Sequence, residues 1–267
     1  MNLTLYKQMM KASTKSILGY GIGSGLYILM VISIFPSFAD SAEFHQLLDL
    51  YPESLLAAFG IEGLSELSDF LAGQYYGMIY LLLLSIFTIT TSTKLIARFV
   101  SQGSMAFLLA IPISRKQLAL TQSAVLLSGI FLITFISYLF TWLGQLLFLE
   151  KLALQTGPFL MMNIVGILLF VSISSYCFLF STIFSDDKKA IGYSASVTVL
   201  LYSLDLLGRL SDKFEFMRSL TFFSLFNPSG IAKGEEEWLV SILIYLISSV
   251  ILYTIAIYHF IRRDLPL

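Results

Sequence analysis

Charge is absent from long stretches of this chain, and that absence limits its possible folds more than any motif does. Ser16 to Ala39, Phe70 to Thr93, Gln117 to Leu149, Leu152 to Ser185 and Trp238 to Ile261 contain no Asp, Glu, Lys or Arg. A helix needs about 20 mostly apolar residues to cross the hydrocarbon layer, and each of these stretches is long enough. A sixth, Ala190 to Leu204, is shorter. It reaches span length only if Asp205 stays near the far interface, because Asp at a helix centre costs about 2.5 to 3.5 kcal/mol. The pattern predicts an all-α integral membrane protein, a single domain over residues 1–267 with spans near 16–39, 70–93, 119–147, 158–184, 190–208 and 238–261. Only 12% of the residues are charged, against roughly 25% in soluble domains. With 23 Phe and 14 Tyr the chain is also far from the composition of a disordered one.

Six crossings place both termini on one side, and loop Lys and Arg decide which side that is. Of the 16 basic residues, eleven fall on the side of the termini: Lys7, Lys11, Lys15, Lys94, Arg98, Arg115, Lys116, Lys188, Lys189, Arg262 and Arg263. Both termini are therefore predicted to be cytoplasmic. The acids are distributed the other way, with only Asp186, Asp187 and Asp264 inside, so a formal charge of -1 conceals a strong polarity across the bilayer. No basic domain of the kind that binds nucleic acid is present. Lys7 to Lys15, the following apolar run and the small pair Ser37 and Ala39 imitate a signal peptide. The apolar run exceeds a typical signal core and five further spans follow, so a retained first helix is expected.

Several segments outside the spans have their own pattern. In residues 2–16, Lys7, Lys11 and Lys15 recur every fourth residue opposite Leu3, Leu5, Tyr6, Met9 and Met10. This is the pattern of an amphipathic helix lying on the inner membrane surface, or of a basic flank that only sets topology. In the first outer connection, Pro52, Leu55, Leu56, Phe59 and Gly60 predict a short helix. In the outer segment before the last span, Phe214, Phe216, Phe222, Phe223 and Phe226 predict short interfacial helices that stop at Asn227-Pro228. Glu235, Glu236 and Glu237 fit a helix-dipole role better than a cation site.

The inner connection between the second and third spans is the most specific. Gly103, Ser104, Met105, Phe107, Leu108 and Leu109 open a short apolar helix, Pro112 breaks it, and Ser114 is placed to cap the next helix through Gln117, next to Arg115. An apolar helix on the aqueous side fits either a partner's groove or the lipid interface.

Chemistry of other kinds is absent. There is no phosphate loop of the G-x-x-x-x-G-K-[ST] type, so ATP hydrolysis is not expected of this chain. Gly19, Gly21, Gly23 and Gly25 open an apolar span with no preceding strand and fit close helix packing better than a dinucleotide loop. One cysteine, Cys177, and two distant histidines, His45 and His259, provide neither a disulfide framework nor a metal centre. The deep parts of the spans carry no ionisable residue, which argues against proton or sodium coupling. Asn163, Gln145, Thr141 and the Ser172-Ser174-Ser175 cluster could line a path or bridge helices.

The inner connection resembles the type-2 family of ABC exporter permeases, which share a pattern close to G-[ST]-M-x-x-L-L-x-x-P-[IV]-S-R between the second and third spans. Gly103, Ser104, Met105, Leu108, Leu109, Pro112, Ile113, Ser114 and Arg115 fit it. The stretch from Leu50 to Leu56 with Phe59-Gly60 looks like the family's outer helix, and Phe260 to Leu265 like its ending. Ala106 stands where many relatives have an acid. The resemblance implies a permease subunit of the bacterial plasma membrane that pairs with a second copy or a homologous permease and with two cytoplasmic ABC ATPase subunits. The ATP and Mg would be bound by those subunits, with no cofactor or metal on this chain. The helix from Ser104 would be the coupling helix seated in an ATPase groove. The alternative is a non-transporting sensor or assembly module that holds a soluble partner by the same helix. An intramembrane enzyme fits worst, since no acid pair, Ser-His or metal constellation lies within the spans.

Overall fold

The computed structural model describes residues 1–39, 50, 66–110, 112–149, 154–234 and 238–264. The α-helical elements among the described residues are numbered here in chain order: α1 Leu3–Ala39, α2 Leu67–Leu95, α3 Ala97–Ser101, α4 Met105–Leu109, α5 Arg115–Phe148, α6 Thr156–Ile183, α7 Asp187–Leu210, α8 Pro228–Lys233 and α9 Trp238–Arg262. No strand occurs among the described residues. Six of the helices, α1, α2, α5, α6, α7 and α9, are long and apolar enough to cross a membrane. They coincide with the six charge-free stretches. The helix expected at 52–60 and the Glu235–Glu237 triplet lie outside the described residues.

Two boundaries differ from expectation for clear reasons. The separate interface helix over residues 2–16 is not a separate element: α1 runs without interruption from Leu3. Its first turns contain neither Gly nor Pro, so nothing ends the helix before the apolar run begins. Its N-terminal part already packs on α5. The Asn2 amide donates to Thr121 Oγ1 at 3.0 Å, the Tyr6 and Ser128 hydroxyls are 2.8 Å apart, and Ile17 packs on Gly129. Farther along, Gly21 and Gly25 meet Ile136 and Phe140, four residues against four. Lys7, Lys11 and Lys15 are exposed.

The fifth span is longer than the charge-free run suggests. Asp186 Oδ1 accepts the amides of Lys188 and Lys189 at 2.8 and 3.3 Å and starts α7, which continues past Asp205 to Leu210. The carboxylate is tolerated because Arg209, one turn on, pairs with it at 2.9 Å.

After α7 the chain forms two 3-10 segments, Asp212–Leu220 and Phe223–Leu225. Phe214 and Phe216 are exposed, while Phe223 and Phe226 are buried against the bundle. Asn227-Pro228 does not only stop a helix, as expected, but starts one. Asn227 Oδ1 accepts the Gly230 amide, Pro228 occupies the first turn, and α8 ends at Gly234 with φ of 73°. Asn is a good N-cap and Pro is pre-organised for the first helical position, so the pair reads in both directions.

Of the two small-residue spacings in α1, only one is used. A Cβ on Gly21 would lie 2.7 Å from Ile136 and one on Gly25 2.4 Å from Phe140, whereas Gly19 and Gly23 face open space. α6 is the most buried span, and α7 and α9 are the least. The middle of α2, Ala72–Ile79, is π-helical, a geometry that re-aims side chains. It places Tyr75, Tyr76 and then Tyr80 fully inside the bundle. Tyr75 shares hydrogen bonds with Ser24 of α1, itself 2.7 Å from Ser137 of α5. Tyr76 donates to Asn163 of α6 at 2.9 Å, and the Tyr80 hydroxyl lies 3.1 Å from Thr134 of α5. One turn of α2 thereby holds three neighbouring spans.

Candidate functional site on the inner connection

The segment between α2 and α5 is a bracket, and each joint among its described residues has a local cause. At the break between α2 and α3, the Ser181 hydroxyl of α6 accepts the Ala97 amide at 3.0 Å and donates to the Ser92 carbonyl at 2.8 Å. It thus satisfies both backbone groups that the break would orphan. Gly103 takes φ of 70° to turn the chain, a conformation other residues rarely adopt. Ser104 donates to the Phe99 carbonyl. Past Pro112, Ser114 and Gln117 form a reciprocal capping box, each side chain accepting the other's amide at 3.1 Å.

α4, held between these joints, has two faces. Met105 is buried in the bundle, and Leu108 and Ile113 are half-buried against it. Phe107 points away and is 79% exposed, the most exposed large apolar side chain among the described residues. Gly103, Pro112 and Ser114 are exposed and Ser104 is half-buried. Leu109 closes the helix. Lys94, Arg98 and Lys116, near the ends of the segment in sequence, are exposed.

Arg115 is engaged within the chain. Its Nη1 donates to the Arg263 carbonyl at 2.6 Å and lies 3.4 Å from that of Ile261, at the end of α9. Arg263 in turn donates to the Thr182 carbonyl at 2.6 Å and to the Ser185 hydroxyl, at the end of α6. Cations suit helix C-termini, where carbonyls lack intrahelical partners. The inner ends of α5, α6 and α9 are thereby tied in series. Sequence reasoning did not anticipate this tie. The Arg262-Arg263 pair at a helix end was a visible signal, but the reach to Arg115 joins residues 148 apart.

The polar residues within the spans act as bridges. Gln145 accepts the Leu154 amide at 3.0 Å, Thr141 donates to the Ser137 carbonyl, Ser172 to the Tyr245 carbonyl, and Ser174 and Tyr253 hydroxyls are 2.6 Å apart. Ser172, Ser174 and Asn163, bonded to Tyr76, join helices, whereas the Thr141 bond stays within α5 and the Gln145 bond holds the chain just before α6. Cys177 is a buried free thiol. No group of three or more His, Cys, Asp or Glu side chains is placed to hold a metal among the described residues.

No protein-family model and no curated protein matches this chain.

Proposed function

We propose that the chain is the membrane-spanning permease subunit of an ATP-driven exporter in a bacterial plasma membrane, with both termini cytoplasmic and α4 acting as the coupling helix. The observation that carries this reading is Phe107: a twice-anchored bracket presents a large apolar side chain where the predicted topology puts water. An exposed aromatic on a short ordered helix is the form of a hot-spot anchor that fills a partner's pocket. The partner must be the energy source, because this chain has no phosphate loop.

The bracket also suits force transmission. A push on Phe107 reaches α2 through α3 and α5 through the capping box. Ser181 passes the α2 side to α6, and Arg115 with Arg263 passes the α5 side to α9 and α6. A partner that closes on ATP would thus move four spans together, the rigid-body kind of switch. Seating by Phe107 leaves Leu108 and Arg115, which the resemblance casts as contacts to the ATPase, with intramolecular roles that hold the bracket in shape.

The test is a photo-crosslinking residue at position 107 in living cells. The expected product is a cytoplasmic protein whose sequence contains a Walker phosphate loop. Capture of a protein without one would overturn the transport reading in favour of a sensor or assembly module. Adducts to lipid alone would overturn both.

A further inference from the structure

The seam between α2 and α5 is bonded along one half and not along the other. In the half away from α4, the Tyr80 and Thr134 hydroxyls are 3.1 Å apart, and Ser24 of α1 links Tyr75 to Ser137. Toward α4 the two helices still pack, since a Cβ on Gly129 would lie 2.6 Å from the Phe87 ring. Beyond that contact no side-chain hydrogen bond joins α2 to α5 among the described residues. Each helix is held to a different neighbour instead, α2 to α6 through Ser181 and α5 to α9 through Arg115.

The unbonded half also contains polar side chains with nothing to bond. Thr88 and Gln122 are 0% exposed and Thr91 is 4% exposed, and no side-chain polar atom of the three has a hydrogen-bond partner among the described residues. Tyr80 with Thr134 and Phe87 with Gly129 show that α2 and α5 run antiparallel. Thr91 follows Phe87 by one turn on the same face, and Gln122 precedes Gly129 by two turns on its face, so both lie on the α4 side of the last contact. A buried amide or hydroxyl without a partner is costly, and apolar residues would avoid that cost in a seam that never opened. In the other half the hydroxyls of Tyr75, Tyr76 and Tyr80 are all paired.

We propose that the α4 half of this seam parts to admit water in a second state of the molecule, with the bonded half as the hinge and Thr88, Thr91 and Gln122 as the groups that the water meets. In the closed state apolar packing holds the two helices together. In the open state the three side chains gain hydrogen bonds from water, which offsets part of the packing lost and keeps that state within reach. The opening lies within one chain, between its second and third spans, and needs no second copy. It does not depend on the transport reading and holds for either function of α4.

Thiol labelling of the full chain in nanodiscs tests it, with Cys177→Ala as the background and a water-soluble maleimide as the probe. Thr91→Cys should react about tenfold faster than Ile133→Cys, a similarly buried site in the bonded half, because only the former is exposed by local opening. Gln122→Leu keeps a similar volume without the amide, so it should raise the unfolding midpoint and slow the labelling of Thr91→Cys about tenfold. Gln122→Met provides the same test if Gln122→Leu fails to fold. Equally slow labelling of Thr91→Cys and Ile133→Cys would overturn the proposal. So would labelling of Thr91→Cys that the substitution at Gln122 leaves unchanged or accelerates, because the amide would then not favour the open state.

Discussion

Both ends of the bundle carry buried or half-buried arginines, and the two ends use them differently. At the inner end, Arg115 and Arg263 donate to carbonyls at helix termini, so each cation answers a partial negative charge that the fold itself creates. At the outer end, Arg209 and Arg218 share the single carboxylate of Asp205 and leave donors over. The contrast teaches that arginine content does not mark a binding surface. At the inner end the arginines join helices, and the surface left for a partner is the apolar Phe107. At the other end the arginines converge on a buried carboxylate and make it tolerable inside the bundle.

The contrast can be broken most directly at Asp205. Asp205→Ala leaves two guanidiniums side by side and should cost about 3 kcal/mol of stability, at the low end for a broken buried pair because both arginines keep some solvent. Thermal unfolding in detergent measures it, and an unchanged midpoint would show that the outer cluster is as solvated as an ordinary surface pair. Next in size is Arg263→Ala. It removes charge-assisted hydrogen bonds to the end of α6 and should cost about 2 kcal/mol. Introduced into the same variant, Ser185→Cys provides a thiol at the end of α6 whose labelling by a water-soluble maleimide should speed up. A labelling rate unchanged from that of Ser185→Cys alone would mean that α6 is fixed without the tie.

Smaller effects sharpen the comparison. Arg218→Gln weakens a 3.6 Å contact of a side chain that is one-third exposed, so its effect on stability, read from the unfolding midpoint, should stay below about 1 kcal/mol. Phe107→Ala should change the unfolding midpoint least, within about 0.5 kcal/mol, because the ring touches little of its own chain. Loss of stability in this variant beyond that would identify Phe107 as part of the core and remove the basis for a partner site.

The spans could be read from the sequence because excluding charge from the bilayer leaves a signal in every window. The ends of the spans were less legible. Ala190 to Leu204 looked short because a one-dimensional reading counts Asp205 as a full charge, whereas in the fold Arg209 and Arg218 neutralise it. Residues 2–16 showed their amphipathic period, but not that the helix would continue into the span without a break. The small-residue stripe in α1 offered two equivalent spacings, and only the position of α5 selects Gly21 and Gly25 over Gly19 and Gly23. In the inner connection the cap at Ser114 was legible because its partner is three residues away. The intramolecular bonds of Arg115 were not legible for the opposite reason: its acceptors are far along the chain and are backbone atoms, which composition does not reveal. Which polar residues of α5 and α6 bond across helices was not legible either, because their partners are far along the chain.

The tyrosine turn of α2 also bears on the order in which the molecule can be made. Tyr75 needs α1 and α5, Tyr80 needs α5, and Tyr76 needs α6, so the second span leaves the ribosome well before most of its hydroxyl partners exist. Until Asn163 follows it into the membrane, at least one phenol has no native acceptor in an apolar solvent, and the first two spans cannot settle as a finished pair. The three phenols therefore have their full set of native partners only once the fourth span has been made.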